Sequence, residues 1–189
     1  MRILDILLGR TRPVPSRLDS LFAISTAYLT LTADLGLMPG GRAAVCFRPI
    51  DSARFEALGV DLQGILKISG EETGVAIRTT TDSYGFQWVT VESSDFQELV
   101  STIHLVSLNL EDRGFGDRLL AAVFSFLDGK RPIYWVYNYK RGSFYPFVPG
   151  GAPGQRDNAR ELRLAAAIGQ ELPVEKDMER WYPLWEVPV

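Results

Sequence analysis

The run LLAAVFSFLDGKRPIYWVYNY at residues 119–139 decides the fold. Leu119 to Leu127 is almost wholly apolar and stops at Asp128-Gly129, and Ile133 to Tyr139 is aromatic and β-branched. Two strands joined through an Asp-Gly turn satisfy that pattern, because glycine supplies the positive φ of a tight hairpin without steric penalty. The first arm, taken alone, also fits a buried helix. Working outward, Val75–Thr79 and Phe86–Val91 are strand-like, with turn residues Asp82-Ser-Tyr-Gly85 between them. Tyr28-Leu-Thr-Leu-Thr32 and Val45-Cys-Phe-Arg48 alternate with period two on either side of Pro39-Gly-Gly41, and predict another antiparallel pair.

Between the pairs the period changes to that of a helix. Phe55, Leu58, Leu62, Ile65 and Leu66 share one face behind Asp51 or Ser52 as a cap, with Gly59 and Gly64 weakening the segment and Gly70 beyond its end. Phe96, Leu99, Val100, Ile103, Val106 and Leu110 form a clearer stripe, opened by Ser94 and Gln97 as a capping box and closed by Gly114. Leu105 and Leu108 lie off that stripe. Asn158 with Glu161 caps a last helix ending before Pro173, with Leu162, Ala165, Ala166 and Gly169 as a small-residue face. Shorter helices are expected at Leu18 to Ile24 and at residues 2–8, the latter followed by the extended linker Arg12-Pro-Val-Pro15.

Two strands followed by a helix thus begin near residues 26, 75 and 117, a regularity of elements without matching residues. The expected architecture is α+β: an antiparallel, six-stranded sheet of ββα-like units with helices packed mainly on one face. Residues 1–17 form a short amphipathic helix and linker, and residues 18–189 one domain with the aromatic tail Trp181-Tyr-Pro-Leu-Trp185.

The composition, 46% hydrophobic and 23% charged over 189 residues, is that of a folded globular chain. Cys46 is the single cysteine, which rules out an intramolecular disulfide and a thiolate zinc site and points to a reducing, cytoplasmic setting. The first residues have no secretory h-region, and no stretch is apolar enough to span a membrane. A net charge of −3 argues against nucleic acid as a partner. The ends differ in sign, with Arg2, Arg10, Arg12 and Arg17 near the start and five acids among residues 171–189.

No catalytic or metal constellation assembles, so neither enzyme activity nor a cofactor is expected. His104, the single histidine, sits on a helix flank away from other ligands, where an ordinary surface or core-edge role suffices. Cys46 in a strand reads as a buried inert thiol, since a nucleophile needs a depressed pKa and a neighbouring base. Gly114-Phe-Gly116 follows a helix and has no third glycine, so the dinucleotide fingerprint fails. Pro146 to Gln155 reads as a loop, and the Pro149–Gly154 stretch inside it ends without Gly-Lys-Ser/Thr. Glu111 and Asp112, adjacent on a helix, point to different sides.

The better candidate is the segment Tyr137 to Tyr145, where Tyr137, Tyr139, Phe144 and Tyr145 meet the cations Lys140 and Arg141, with Arg156 and Asp157 assigned to the same surface. Arginine and tyrosine anchor interfaces through contact area combined with polar reach. The competing reading puts alternate aromatics in the core, leaves Lys140 and Arg141 to solvent, and makes Arg156 to Asn158 a helix cap.

Several stretches, in order, resemble the PspA-associated protein family PspAB, found beside the phage-shock membrane-stress protein PspA. They are Leu4–Arg10 with Leu18–Phe22, Cys46–Pro49, Thr81–Gly85, Leu110–Gly116, Lys140–Phe147, Arg156–Asn158 and Arg180–Trp185. The resemblance implies a role in the stress response at the inner face of the cytoplasmic membrane, with PspA or a companion phage-shock protein as partner, and carries over no catalytic residue. An adaptor acting by protein contact is therefore expected, with residues 1–12 offering weak peripheral membrane contact. The alternative is a small-molecule or lipid-binding sensor, or an enzyme of unrecognised type, with a pocket between sheet and helices lined by Trp88, Trp135 and tyrosines, where Arg78 or Arg141 meets an anion.

Overall fold

A computed structural model describes residues 18–69 and 74–189. The N-terminal helix and linker expected over 1–17 lie outside the described residues, as does Gly70. Six strands, β1 (Met38–Phe47), β2 (Ala76–Thr81), β3 (Gln87–Glu92), β4 (Leu119–Asp128), β5 (Arg131–Asn138) and β6 (Ser143–Phe147), form one antiparallel sheet in the order β2-β3-β1-β4-β5-β6. Four α-helices accompany them: α1 (Ala23–Leu29), α2 (Ser52–Ser69), α3 (Phe96–Leu110) and α4 (Asn158–Ile168). The class is α+β, as the hairpin pattern requires.

Both arms of the 119–139 run are strands, paired from Ala121↔Asn138 to Asp128↔Arg131, so the first arm is not a helix. Gly129, at φ 61°, is the left-handed residue of the two-residue turn.

The first expected strand is absent. Tyr28–Thr32 runs from α1 into a continuing helical turn, Thr30–Asp34. Ile24, Ala27 and Leu31 are fully buried at helical spacing, and Tyr28 stacks on Phe96 of α3 with ring centroids 4.6 Å apart. The short period-two alternation fits a strand locally, but burying that helical face against the core decides the outcome. Pro39-Gly-Gly41, expected to be a turn, lies inside β1, where the pairing with β4 shifts register between Pro39 and Ala43. A Cβ on Gly40 would fall 2.5 Å from Ser125 Oγ, so this irregularity needs a residue without a side chain. The six-strand total stands because β6 occupies Ser143–Phe147, partly assigned to a loop from sequence. One, two and then three strands precede successive helices, so of the expected ββα-like units only the one beginning near residue 75 has that form.

The sheet divides the core. On one face Val45, Phe47, Val91, Phe124 and Trp135 are buried together with Ile24, Val100 and Leu110 of the helices. On the other, Ala44, Cys46, Trp88, Val123 and Tyr145 are covered largely by the C-terminal tail through Trp181, Leu184 and Val187. Helix α4 reaches both, with Leu164 and Ile168 in the first cluster and Ala165 against the second.

Asp51, one of the two candidates, caps α2 by accepting from Arg54 N at 3.0 Å, whereas the caps of α3 and α4 differ from the sequence assignments by one residue. Asp95, not Ser94, caps α3: its carboxylate accepts from Gln97 N at 2.7 Å and Glu98 N at 3.3 Å. Ser93 Oγ donates to the Glu98 carboxylate at 2.8 Å. Asp95→Ala should lower stability by about 1 kcal/mol in urea denaturation, while Ser94→Ala should have an effect of only a few tenths. Asp157 caps α4 by accepting from Arg160 N at 2.9 Å, and Glu161 is used elsewhere. The buried side of α4 is Glu161, Leu164 and Ile168, whereas Leu162 and Ala166 are exposed. Of the expected small-residue face, Leu162, Ala166 and Gly169 are turned toward solvent and only Ala165 packs inward, because a buried glutamate, invisible to an apolar pattern, shares the inner side of the helix.

Candidate functional site

Register places one row of side chains across the helix-free face: Thr80, Trp88, Cys46, Ala121, Asn138 and Ser143, each opposite the next on neighbouring strands. Directly opposed residues in an antiparallel sheet project to the same side. Cys46 and Ala121, in the middle of this row, are small, and Trp88 stands at one end of them. The missing volume becomes a cavity of about 650 Å³ floored by Trp88, Cys46, Ala121 and Tyr145. Such a volume lies within the roughly 300–1,000 Å³ of small-molecule pockets. The cavity therefore lies between the sheet and the C-terminal tail, not between sheet and helices. Trp88 and Arg141 line it, whereas Trp135 is buried in the helix-side core and Arg78 is not among its lining residues.

One wall is the tail segment Tyr182–Glu186. Tyr145 Oη donates to the Tyr182 carbonyl at 3.1 Å, and Trp181 stacks on Tyr145 with centroids 6.3 Å apart. Trp185 meets Phe147 edge-on at 5.1 Å. Ser83 Oγ donates to the Glu186 carboxylate at 2.7 Å, which fastens the tail to the β2–β3 turn. That turn supplies Asp82, Tyr84 and Phe86 to the cavity. Asp82 is fully engaged: Oδ1 accepts from Tyr84 N and Phe86 N, and Oδ2 accepts from Trp88 Nε1 at 2.8 Å.

The β5–β6 turn closes the opposite end. Asn138 Oδ1 accepts from Lys140 N at 3.1 Å and Arg141 N at 3.3 Å, so the turn is built by an asparagine side chain and presents two exposed cations at the rim. Neither the Lys140 ammonium nor the Arg141 guanidinium has a side-chain partner among the described residues.

Of the residues singled out from sequence, Lys140, Arg141 and Tyr145 come together at this cavity. Tyr137, Tyr139 and Phe144 project to the other side and are buried in the helix-side core, where Tyr139 Oη pairs with Ser107 Oγ. Arg156 forms a 2.8 Å ion pair with Glu161, whose side chain is 1% exposed, and donates through Nη1 to the Trp181 carbonyl at 2.7 Å. Asp157 is the α4 cap. These five residues are thus spent on packing and internal bonds. Missed from sequence as site residues were Asp82, Tyr84, Tyr182 and Trp185. The aromatic density of the tail was their signal, but nothing local told which face of the sheet it covers.

Burial, with Asp82 nearby, pushes the Cys46 thiol up to about 12, so it stays protonated at neutral pH and is no nucleophile. Burial likewise raises the Tyr145 hydroxyl, despite Arg156 nearby, and keeps it a donor. His104 packs against Phe22 with ring centroids 4.5 Å apart and tilted by 44°; burial lowers its pKa, against the opposing pull of Asp19 and Glu111. Among the described residues no group of three or more His, Cys, Asp or Glu could hold a metal ion, and no helix is long and apolar enough to cross a membrane.

Fold and site together define an α+β protein with one antiparallel sheet, helices on one side, and on the other an aromatic cavity walled by its own C-terminal tail. The chain belongs to the PspAB family, described as PspA associated protein B, whose profile matches residues 1–189. The family's name implies association with PspA, which supports a PspA-related role for this chain in the phage-shock stress context. Searches of curated proteins and of solved structures found no match.

Proposed function

We propose that this protein is a non-enzymatic adaptor that contacts PspA, or a companion phage-shock protein, through the face carrying its C-terminal tail, at the inner side of the cytoplasmic membrane. One observation carries the reading. Four of the stretches that carry the family resemblance, far apart in sequence, supply the same cavity and rim: Cys46 from the first, Asp82 and Tyr84 from the second, Lys140 and Arg141 from the third, and Tyr182 and Trp185 from the fourth.

The composition of the rim supports it. Tyr84 is 70% exposed, Tyr182 55% and Trp185 42%, beside two cations whose side chains have no partner among the described residues. Exposed aromatics next to arginine are the composition of interface anchors, and rim charges set encounter rate and register. Residues 1–12, which lie outside the described residues, are proposed to add weak peripheral contact with an anionic membrane.

Lys140→Glu/Arg141→Glu should reduce PspA recovered by co-purification at least tenfold, with thermal unfolding unchanged because both side chains are solvated. Undiminished recovery would remove this face from the proposal.

A further inference from the structure

The cavity has a chemistry of its own, independent of any protein contact. Its floor is a trough created by the small residues Cys46 and Ala121 between larger neighbours in one row of the sheet. Aromatic rings approach it from three separate parts of the chain: Trp88 and Tyr145 from the sheet, Tyr84 and Phe86 from the β2–β3 turn, and Tyr182 and Trp185 from the tail. Aromatic faces gathered around an apolar slot favour a flat ring, which gains stacking beyond its area burial.

The charges are separated across the trough. Asp82, at the β2–β3 turn, accepts from two backbone N–H groups and the Trp88 indole, and Glu186 accepts from Ser83 of the same turn through Oε2. Both lining cations, Lys140 and Arg141, have no side-chain partner among the described residues. The acids are thus held at the β2–β3 turn, while the cationic donors stand at the β5–β6 turn, at the other end of an apolar trough. We infer that the trough binds a small organic anion with a flat aromatic body, ring against Trp88 and Tyr145 and its carboxylate, sulfonate or phosphate toward Lys140 and Arg141. Arginine's planar fork suits such an anionic group, and the ammonium adds a point charge.

The probe is 8-anilinonaphthalene-1-sulfonate, with neutral N-phenyl-1-naphthylamine as the uncharged counterpart, both titrated by fluorescence against the full chain. Saturable binding of the sulfonate at one site per chain is expected. Lys140→Gln/Arg141→Gln should weaken the sulfonate roughly tenfold while leaving the neutral amine within twofold. Ala121→Leu, which fills the trough and leaves the rim cations in place, should weaken both at least tenfold, with circular dichroism and the unfolding midpoint verifying the fold. Absence of saturable binding to the wild-type chain would overturn the inference, as would sulfonate affinity unchanged in the rim double variant. Because Ala121→Leu leaves the rim intact, loss of probe binding with PspA recovery retained separates this site from the adaptor contact.

Discussion

Arg156→Ala is expected to lower stability by about 3 kcal/mol at pH 7, with the deficit shrinking as the solution is acidified. Removing one partner of a buried ion pair leaves the other charge uncompensated, at a cost of about 3–5 kcal/mol. The lower end applies because the Arg156 side chain is 20% exposed while that of Glu161 is 1% exposed. Arg156 Nε reaches both Glu161 carboxylate oxygens at 3.0 Å, Val148 N donates to Oε1 at 2.9 Å, and Arg156 Nη1 holds the Trp181 carbonyl. One guanidinium thus joins the exit from β6, helix α4 and the tail that walls the cavity.

The pH sign follows from Glu161. Burial raises its pKa, against the lowering effect of Arg156 and the Val148 N–H. A carboxyl whose folded pKa lies above its unfolded value contributes stability below the unfolded pKa and loses it as pH rises through the folded one. Without Arg156 the upward shift grows. The variant therefore loses more stability than the wild type between about pH 4, the unfolded carboxyl range, and neutrality. Urea denaturation at pH 4 and pH 7 reads this, and a deficit independent of pH would contradict the assignment of Arg156 as the counter-charge. Glu161→Gln, which keeps an acceptor for Val148 N, should lose less than Arg156→Ala at neutral pH.

The second large effect distinguishes a helix from a strand. Leu31→Ala should cost about 2–5 kcal/mol, the range for emptying a buried leucine site, and Leu29→Ala should change stability by no more than about 0.5 kcal/mol. Leu31 is fully buried and Leu29 is 72% exposed. Residues two apart in a strand share a face, whereas in a helix they point to nearly opposite sides. Equal losses at the two positions in urea denaturation would restore the strand reading of Tyr28–Thr32 and contradict α1 and its continuing turn.

Legibility followed the range of the determining interactions. The α3 stripe from Phe96 to Leu110 and the β4–β5 hairpin were readable because turn chemistry and the apolar repeat agree over many residues. The Tyr28–Thr32 segment was not, since five residues support either period and only packing on Phe96 and the core separates them. Strand β6 was obscured by Pro146, which is tolerated where it lies in the edge strand. The rotation of α4 depended on a glutamate that no hydrophobic pattern assigns to the interior. In the site, Lys140, Arg141 and Tyr145 were visible as an aromatic and cationic cluster. Alternation implied that neighbouring aromatics go to opposite faces, but not which face was open.

By itself, the chain's order of residues determined the α+β class, the central hairpin, the long amphipathic helix and the family. Those properties rest on turn residues, periodicity and composition, which act over a few neighbours. Only the tertiary structure decided that Trp88, Cys46, Ala121 and Asn138 form one row, that the tail returns over them, and that Arg156 is committed to Glu161. Those facts depend on strand order and register, which bring together residues up to about a hundred positions apart and cannot be read from any local window.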